Sequence, residues 1–116
     1  MLSLPESIRI FLRREKTDMR LGFQGLACLA QNVFGQNPTS GHLFVFVNER
    51  RNRAKMLLWD RGGFWLLSRK LEQGTFVLPA LASDGNPVVD AIEWAAFLEG
   101  VTMDIAHRKK RYRLPP

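Results

Sequence analysis

The sequence has too few cysteine and histidine residues for the usual covalent or metal cross-links. Its single cysteine cannot form an intramolecular disulfide, and one cysteine with two histidines is too small a set for a structural zinc site. It also lacks the phosphate-binding G-x-x-x-x-G-K-[ST] motif, H-E-x-x-H, Cys-x-x-Cys and a serine nucleophile elbow. We therefore expect no metal, no cofactor, no small-molecule substrate and no enzymatic activity.

Long apolar runs are missing as well. No stretch approaches the roughly 18 apolar residues of a membrane span. The amino terminus, MLSLPESIRIFLRREK, has proline and an acid where a signal peptide needs an apolar core. The sequence therefore predicts no membrane partner and a cytoplasmic location.

What the sequence does contain is the composition of one folded domain. The chain has 116 residues, of which 46% are hydrophobic and 24% charged, values close to those of globular proteins. Its last ten residues, HRKKRYRLPP, carry five cations and little to bury. We predict a single α+β domain over residues 1–106 and a basic tail over 107–116.

Hydrophobic periodicity predicts the elements of that domain. Apolar residues at helical spacing predict a first helix over 18–34, capped at its end by Gly35, and a second over 88–99. We expect Thr17 or Asp18 to cap the start of the first helix. Alternation at 8–14 predicts a strand with one wet face, and 76–78 favours an edge strand. Three further strands are predicted at 43–47, 54–59 and 64–70.

The spacing of the last three strands is typical of an antiparallel meander. LFVFV at 43–47 is apolar at odd and even positions alike, so side chains on both faces of this strand are apolar. The strand should therefore lie centrally in the sheet with both faces covered. The predicted fold is a small, mostly antiparallel sheet of three to five strands packed against two helices. Asp60-Arg61-Gly62-Gly63 favours a tight turn, because glycines supply the positive φ that such turns need.

Cations are bunched while acids are scattered. Lysine and arginine number 17 against 11 acids, a net charge of +6, and basic excess favours nucleic acid, anionic lipid or an acidic protein as partner. The first cluster lies in the turn NERRNR, which is expected to be a hairpin tip; a merely solvated loop is the alternative. The candidate nucleic-acid contacts are Arg50, Arg51, Arg53 and Lys55, then Arg9, Arg13, Arg14 and Arg20, then Arg108, Lys109, Lys110 and Arg111 in the tail.

Other side chains admit other interpretations. Phe64 and Trp65 point to opposite faces of their strand. We therefore expect one of these two side chains either to be exposed, where a partner could bind it, or to be covered by the second helix. Cys28 lies off the apolar stripe of the first helix and is expected either to be exposed or to contact a partner, without a nearby histidine to activate it.

A carboxylate metal site is the remaining chemical alternative. A two-metal nuclease would need a set of acids. Nothing in the spacing of the available carboxylates singles out such a set, so solvated acids or helix caps are the simpler interpretation. The candidates are Asp60, Asp84, Asp90, Glu93 and Glu99.

Several linked motifs resemble one protein family. Their order along most of the chain is more specific than any one of them. In that order and combination the sequence resembles the TnpB (Orf2) accessory proteins of the insertion-sequence sixty-six transposon family. The motifs are TDMR-x-GF-x-GL at 17–26, GH-x-FVF at 41–46, WD-x-x-GF at 59–64, KLE-x-G-x-F at 70–76 and LEGV at 98–101.

The resemblance implies a bacterial mobile-element protein encoded beside a separate transposase that carries the catalytic carboxylates. It transfers no catalytic residue to this chain. Two hypotheses follow: a non-catalytic accessory factor that binds the DNA backbone at transposon ends or within the transposase complex, or an adaptor that docks the transposase or another insertion-sequence protein without contacting DNA.

Overall fold

The structure is a computed structural model that describes residues 8–79, 87–88 and 91–100. In this part of the chain, strands and helices combine into an α+β fold, which confirms the predicted class. The elements are β1 (Ile10–Leu12), α1 (Phe23–Phe34), β2 (Leu43–Val47), β3 (Arg53–Asp60), β4 (Gly63–Lys70), β5 (Pro87–Val88) and α2 (Ala91–Glu99).

One mixed sheet runs through the fold, with four longer strands and the two-residue β5 in the order β4-β3-β2-β1-β5. The predicted meander is confirmed, since β2, β3 and β4 pair antiparallel in succession. β2 lies in the middle of the sheet, and all five of its residues are buried. β1 pairs with β2 in parallel, so the chain between them must cross over the sheet, and α1 makes that crossing.

The two faces of the sheet carry separate apolar clusters. On one face α1 packs against sheet phenylalanines: the ring of Phe34 lies 5.6 Å from that of Phe44 and 5.9 Å from that of Phe46. On the other face, Phe97 of α2 stacks on Phe76 with ring centroids 4.8 Å apart. A strand covered on both sides needs apolar residues at both parities, which explains the LFVFV sequence of β2.

α1 begins later than the apolar stripe predicts. Its first residue is Phe23, and the cap position is Gly22, which has no capping side chain. The expected cap at Thr17 or Asp18 is wrong because the Asp18 side chain accepts a hydrogen bond from the backbone N–H of Arg20 at 2.9 Å. Such a local bond offers the backbone an alternative to the helix. The predicted C-terminal cap is confirmed: Gly35 has φ 64°.

Two other boundaries differ from prediction. The strand predicted at 8–14 is the three-residue β1, and its supposedly wet face is covered, because Phe11 is buried under α1. The second helix, predicted to begin at residue 88, begins at Ala91, and residues 87–88 form β5 against β1. Proline suits an outer strand because it has no N–H to donate.

The segment 76–78 is not an edge strand. The backbone N–H of Phe76 donates instead to the carbonyl of Arg51 at 2.7 Å, and Leu78 is buried in the cluster on the α2 face. Gly74, with φ 81°, redirects the chain just before this segment. In the described part of the chain, neither helix has the length and apolarity to span a bilayer.

Candidate nucleic-acid interface

The turn between β2 and β3, residues 48–52 with Arg53 as the first residue of β3, is organised by one asparagine. The side-chain Oδ1 of Asn48 accepts hydrogen bonds from the backbone N–H groups of Asn52 and Arg53, both at 3.0 Å. Its Nδ2 donates to Oδ1 of Asn52 at 2.7 Å. Arg51 adopts φ 56°, and its N–H donates to the Asn48 carbonyl at 3.1 Å. The turn is therefore closed by its own side chains.

A second segment braces the same turn. The carbonyl of Arg51 accepts from the N–H of Phe76 at 2.7 Å, and that of Asn52 accepts from the N–H of Leu71 at 2.8 Å. Phe76 and Leu71 belong to the apolar cluster on the α2 face. The turn therefore joins β2 and β3 as a hairpin tip, as predicted, and its backbone is tied to the core. The side chain of Arg50 stays exposed.

Strand pairing brings further cations beside the turn. Arg53 at the start of β3 lies directly opposite Lys70 at the end of β4, and Lys55 lies opposite Ser68. Because partners two residues apart share a face, these four side chains project from the same side of the sheet. They border a groove of about 280 Å³, which we call the cationic groove. Its lining residues are Met19, Arg53, Ala54, Lys55, Ser68, Arg69 and Lys70.

Lys55 is the most constrained of the groove cations. Its ammonium group donates to the backbone carbonyl of Leu21 at 2.9 Å, and its side chain is half-buried. Lys70 and Ser68 were not predicted as site residues. Their proximity to Arg53 depends on strand register.

Two arginines of the amino-terminal cluster are engaged by carboxylates. Arg20 holds Asp18 through Nε and Nη2, with a shortest distance of 2.8 Å, and this hydrogen bonding is the main reason that the pKa of Asp18 falls to about 2. Arg13 pairs with Glu15 at 3.4 Å. A nucleic-acid role for Arg13 and Arg20 stays a prediction. To bind DNA, each arginine would have to exchange its carboxylate partner for a phosphate group.

Two cations of the segment after β1, Arg14 of the cluster and the neighbouring Lys16, have partners far away in the sequence. Arg14 donates to the carbonyl of Pro79, and Lys16 pairs with Glu49 at 3.3 Å. The second contact joins the segment after β1 to the β2–β3 turn. Glu49, the one acid of the turn, is therefore directed toward a lysine outside the turn.

Arg9 lies at the other end of the sheet. Its backbone N–H donates to Nδ1 of His42 at 3.1 Å, just before β2, whereas the cationic turn follows β2. Five strand residues separate these ends by about 16 Å. Burial, and secondarily the charge of Arg9, lowers the pKa of His42. The tail candidates Arg108, Lys109, Lys110 and Arg111 lie outside the described residues.

The β3–β4 turn at the far end of the hairpin is the predicted tight turn. Asp60 pairs with Gly63, and the two residues between them, Arg61 and Gly62, have φ 46° and 85°. The positive φ thus falls on an arginine and one glycine rather than on both glycines. Trp65 is 58% exposed, so of the two alternatives for this side chain the exposed one is correct, and α2 does not cover it.

Chemical sites of other kinds are not seen in the described ranges. No group of three or more His, Cys, Asp or Glu side chains there could hold a metal ion. Asp84 and Asp90 of the carboxylate alternative lie outside those ranges. Cys28 is exposed, as predicted.

Comparisons with known proteins agree with the resemblance in the motifs. A family profile described as IS66 Orf2 like protein matches residues 8–108. Two uncharacterized proteins of Sinorhizobium fredii are similar over nearly their whole length. The protein y4hO is 32% identical over 97% of this chain and 96% of its own, and y4jC is 28% identical over 94% and 92%. No solved structure matches. The chain belongs to the IS66 Orf2-like family, and its role is accordingly an accessory one associated with transposition.

Proposed function

We propose that this protein is a non-catalytic accessory factor of insertion-sequence transposition that binds the DNA backbone through the β2–β3 turn. One observation carries the proposal: the turn presents Arg50, Arg51 and Arg53 from a braced backbone. Within the described residues, no ion pair engages any of these three guanidinium groups. The DNA bound by the turn would be that of the transposon ends or that held in the transposase complex.

The chemistry of the turn suits phosphate better than a base edge. Guanidinium groups form paired, charge-assisted hydrogen bonds with phosphate oxygens. Contacts to phosphates set position and affinity but carry no direct sequence information. A rigid turn also loses little conformational freedom on binding, since Asn48 and the 71–76 segment already hold it. We therefore expect affinity with low sequence preference.

The test measures binding of the full chain to end-containing and scrambled duplexes by fluorescence anisotropy at several salt concentrations. Three or four neutralised phosphates predict that log affinity falls with log salt at a slope of about −3. Arg50→Gln should weaken binding severalfold and reduce the slope by about 1. Equal affinity for both duplexes is expected. A flat salt dependence in the wild-type protein would refute the proposal.

Arg61→Asn is the matched control. It removes one cation at the opposite end of the β3–β4 hairpin, and asparagine tolerates the positive φ of that position. The Arg61 guanidinium already pairs with Asp60 at 3.4 Å. DNA affinity should therefore change little. If Arg61→Asn weakened binding as much as Arg50→Gln, net charge rather than the turn would explain the affinity.

The adaptor role is the second candidate, and Trp65 favours it. This indole is 58% exposed on β4, an outer strand of the sheet, and its Nε1 donates to Asp60 at 3.4 Å. Exposed tryptophan is common at the energetic centres of protein interfaces. Capture of the transposase that survives nuclease treatment and Arg50→Glu, but is lost in Trp65→Ala, would support the adaptor role over DNA binding.

A further inference from the structure

The cationic groove contains a pair of like charges held face to face. Arg53 and Lys70 are direct partners in the antiparallel register of β3 and β4. Side chains in such positions have Cβ atoms about 5 Å apart, and like charges there are destabilising. Both side chains are exposed, and no carboxylate of the described residues forms an ion pair with either. The repulsion is therefore uncompensated within this part of the chain.

A third cation completes one side of the groove. Lys55 lies two residues beyond Arg53 on the same face, with its ammonium fixed on the Leu21 carbonyl. An ammonium group has three hydrogen-bond donors, so two remain for another acceptor. Ser68, the cross-strand partner of Lys55, adds a hydroxyl, and Met19 forms an apolar wall. The donors thus converge on one concave surface.

Asp18, an acid near the groove, already has an arginine partner. Asp18 is close enough to Lys55 for the two charges to interact, but its carboxylate is held by Nε and Nη2 of Arg20. No carboxylate lines the groove itself. The fourth cation of the lining, Arg69, donates from Nε to the Leu98 carbonyl at 2.7 Å. An anion from outside the described residues would therefore meet Arg53, Lys55 and Lys70 without displacing an acid.

We propose that the cationic groove is a seat for a single phosphate group, held by Arg53, Lys55 and Lys70 with the Ser68 hydroxyl. The inference deepens the proposed function and rests on it for the source of the phosphate, a phosphodiester of the DNA bound by the neighbouring turn. The same chemistry accepts a free phosphate or pyrophosphate ion. The seat fixes one backbone position, and the turn arginines reach the adjacent ones.

The first experiment needs no variant. Sodium pyrophosphate is titrated into the full-length protein at constant ionic strength, with sodium chloride as the balancing salt, and ¹H–¹⁵N spectra are recorded. The amide signals of Arg53, Lys55, Ser68 and Lys70 should shift together and saturate, and the melting temperature should rise. Shifts confined to other residues, or absence of saturation, would overturn the proposal.

The second experiment uses Lys70→Gln. Loss of one charge-assisted partner should weaken pyrophosphate binding about tenfold, while relief of the repulsion with Arg53 should leave the unliganded variant at least as stable as the wild type. Arg61→Asn, with the same change in net charge, should affect neither property. Unchanged pyrophosphate affinity in Lys70→Gln, or a loss of stability, would contradict the assigned seat.

A DNA titration separates the two proposals. If wild-type protein binds DNA and Arg50→Gln weakens it, but Lys70→Gln binds DNA and pyrophosphate like the wild type, the seat is wrong and the proposed function stands. If pyrophosphate saturates the groove but no duplex binds, the proposed function fails and the seat remains. Equal weakening of DNA and pyrophosphate binding in Lys70→Gln supports both.

Discussion

Replacing Asn48 by alanine tests whether the shape of the β2–β3 turn, and not only its charge, determines binding. The substitution removes no cation. It removes two hydrogen bonds accepted at 3.0 Å by Oδ1 and one donated at 2.7 Å by Nδ2. At roughly 0.5–1 kcal/mol for each in this half-buried site, the free energy of unfolding should fall by about 2 kcal/mol. That corresponds to about a thirtyfold change in the folding equilibrium.

The loss of order should also weaken DNA binding. In the wild-type turn the backbone positions of Arg50, Arg51 and Arg53 are set before DNA arrives. In Asn48→Ala part of that ordering has to occur on binding, at a cost of roughly 1 kcal/mol, so affinity should fall about fivefold. The slope of log affinity against log salt should stay unchanged, because the number of cations is the same.

The assays are urea denaturation followed by circular dichroism and fluorescence anisotropy with duplex DNA, both at a temperature where the variant is fully folded. Asn37→Ala is the matched control. Oδ1 of Asn37 accepts two hydrogen bonds from Thr39, from its N–H at 2.9 Å and its hydroxyl at 2.8 Å, in the loop at the opposite end of β2. That variant should lose stability but keep its DNA affinity. Normal DNA binding by a destabilised Asn48→Ala would refute the reasoning.

Three further predictions concern a surface charge, a pH dependence and a backbone conformation. Glu49→Gln releases Lys16 from an exposed ion pair, so DNA affinity should rise about threefold at low salt, with little change in stability. The pKa of His42 in the folded protein is lowered, mainly by burial and then by the charge of Arg9. The unfolded chain therefore binds more protons than the folded one at acidic pH. The free energy of unfolding should fall as the pH drops through about 6.5 toward the lower pKa of the folded state. Gly100→Ala should cost about 2 kcal/mol, because φ is 76° and a methyl group would lie 2.5 Å from a leucine side chain.

Each of these three predictions has a control variant. Asp60→Asn makes the charge change of Glu49→Gln at the far turn and should raise DNA affinity less. His42→Gln should flatten the dependence of unfolding free energy on pH measured by urea titration; an unchanged profile would exclude His42 as the titrating group. Gly22→Ala should be better tolerated than Gly100→Ala in thermal melts, since Gly22 has φ −102° and open space beside it.

Periodicity predicted the parts of the fold where burial alone decides the structure. Apolar residues at both parities indicate a central strand, and β2 is one. Periodicity could not predict the start of α1. The Asp18 carboxylate accepts a hydrogen bond from the N–H of Arg20, and the positions of apolar residues do not depend on such a bond. Periodicity also missed β5, which has two residues and, within the described part of the chain, pairs with β1 alone. A strand that short has no detectable period.

The candidate site shows a different limit, since a sequence displays its cations but not their partners. Arg20 and Arg53 look equivalent in the sequence, yet the fold gives one a carboxylate and leaves the other facing Lys70. That second pairing follows from a turn that the sequence does indicate. Once the Asp60–Gly63 turn has only two residues between its strands, antiparallel register places each residue before it opposite a fixed residue after it, and Arg53 must meet Lys70. The length of one turn therefore determines where the cationic groove forms.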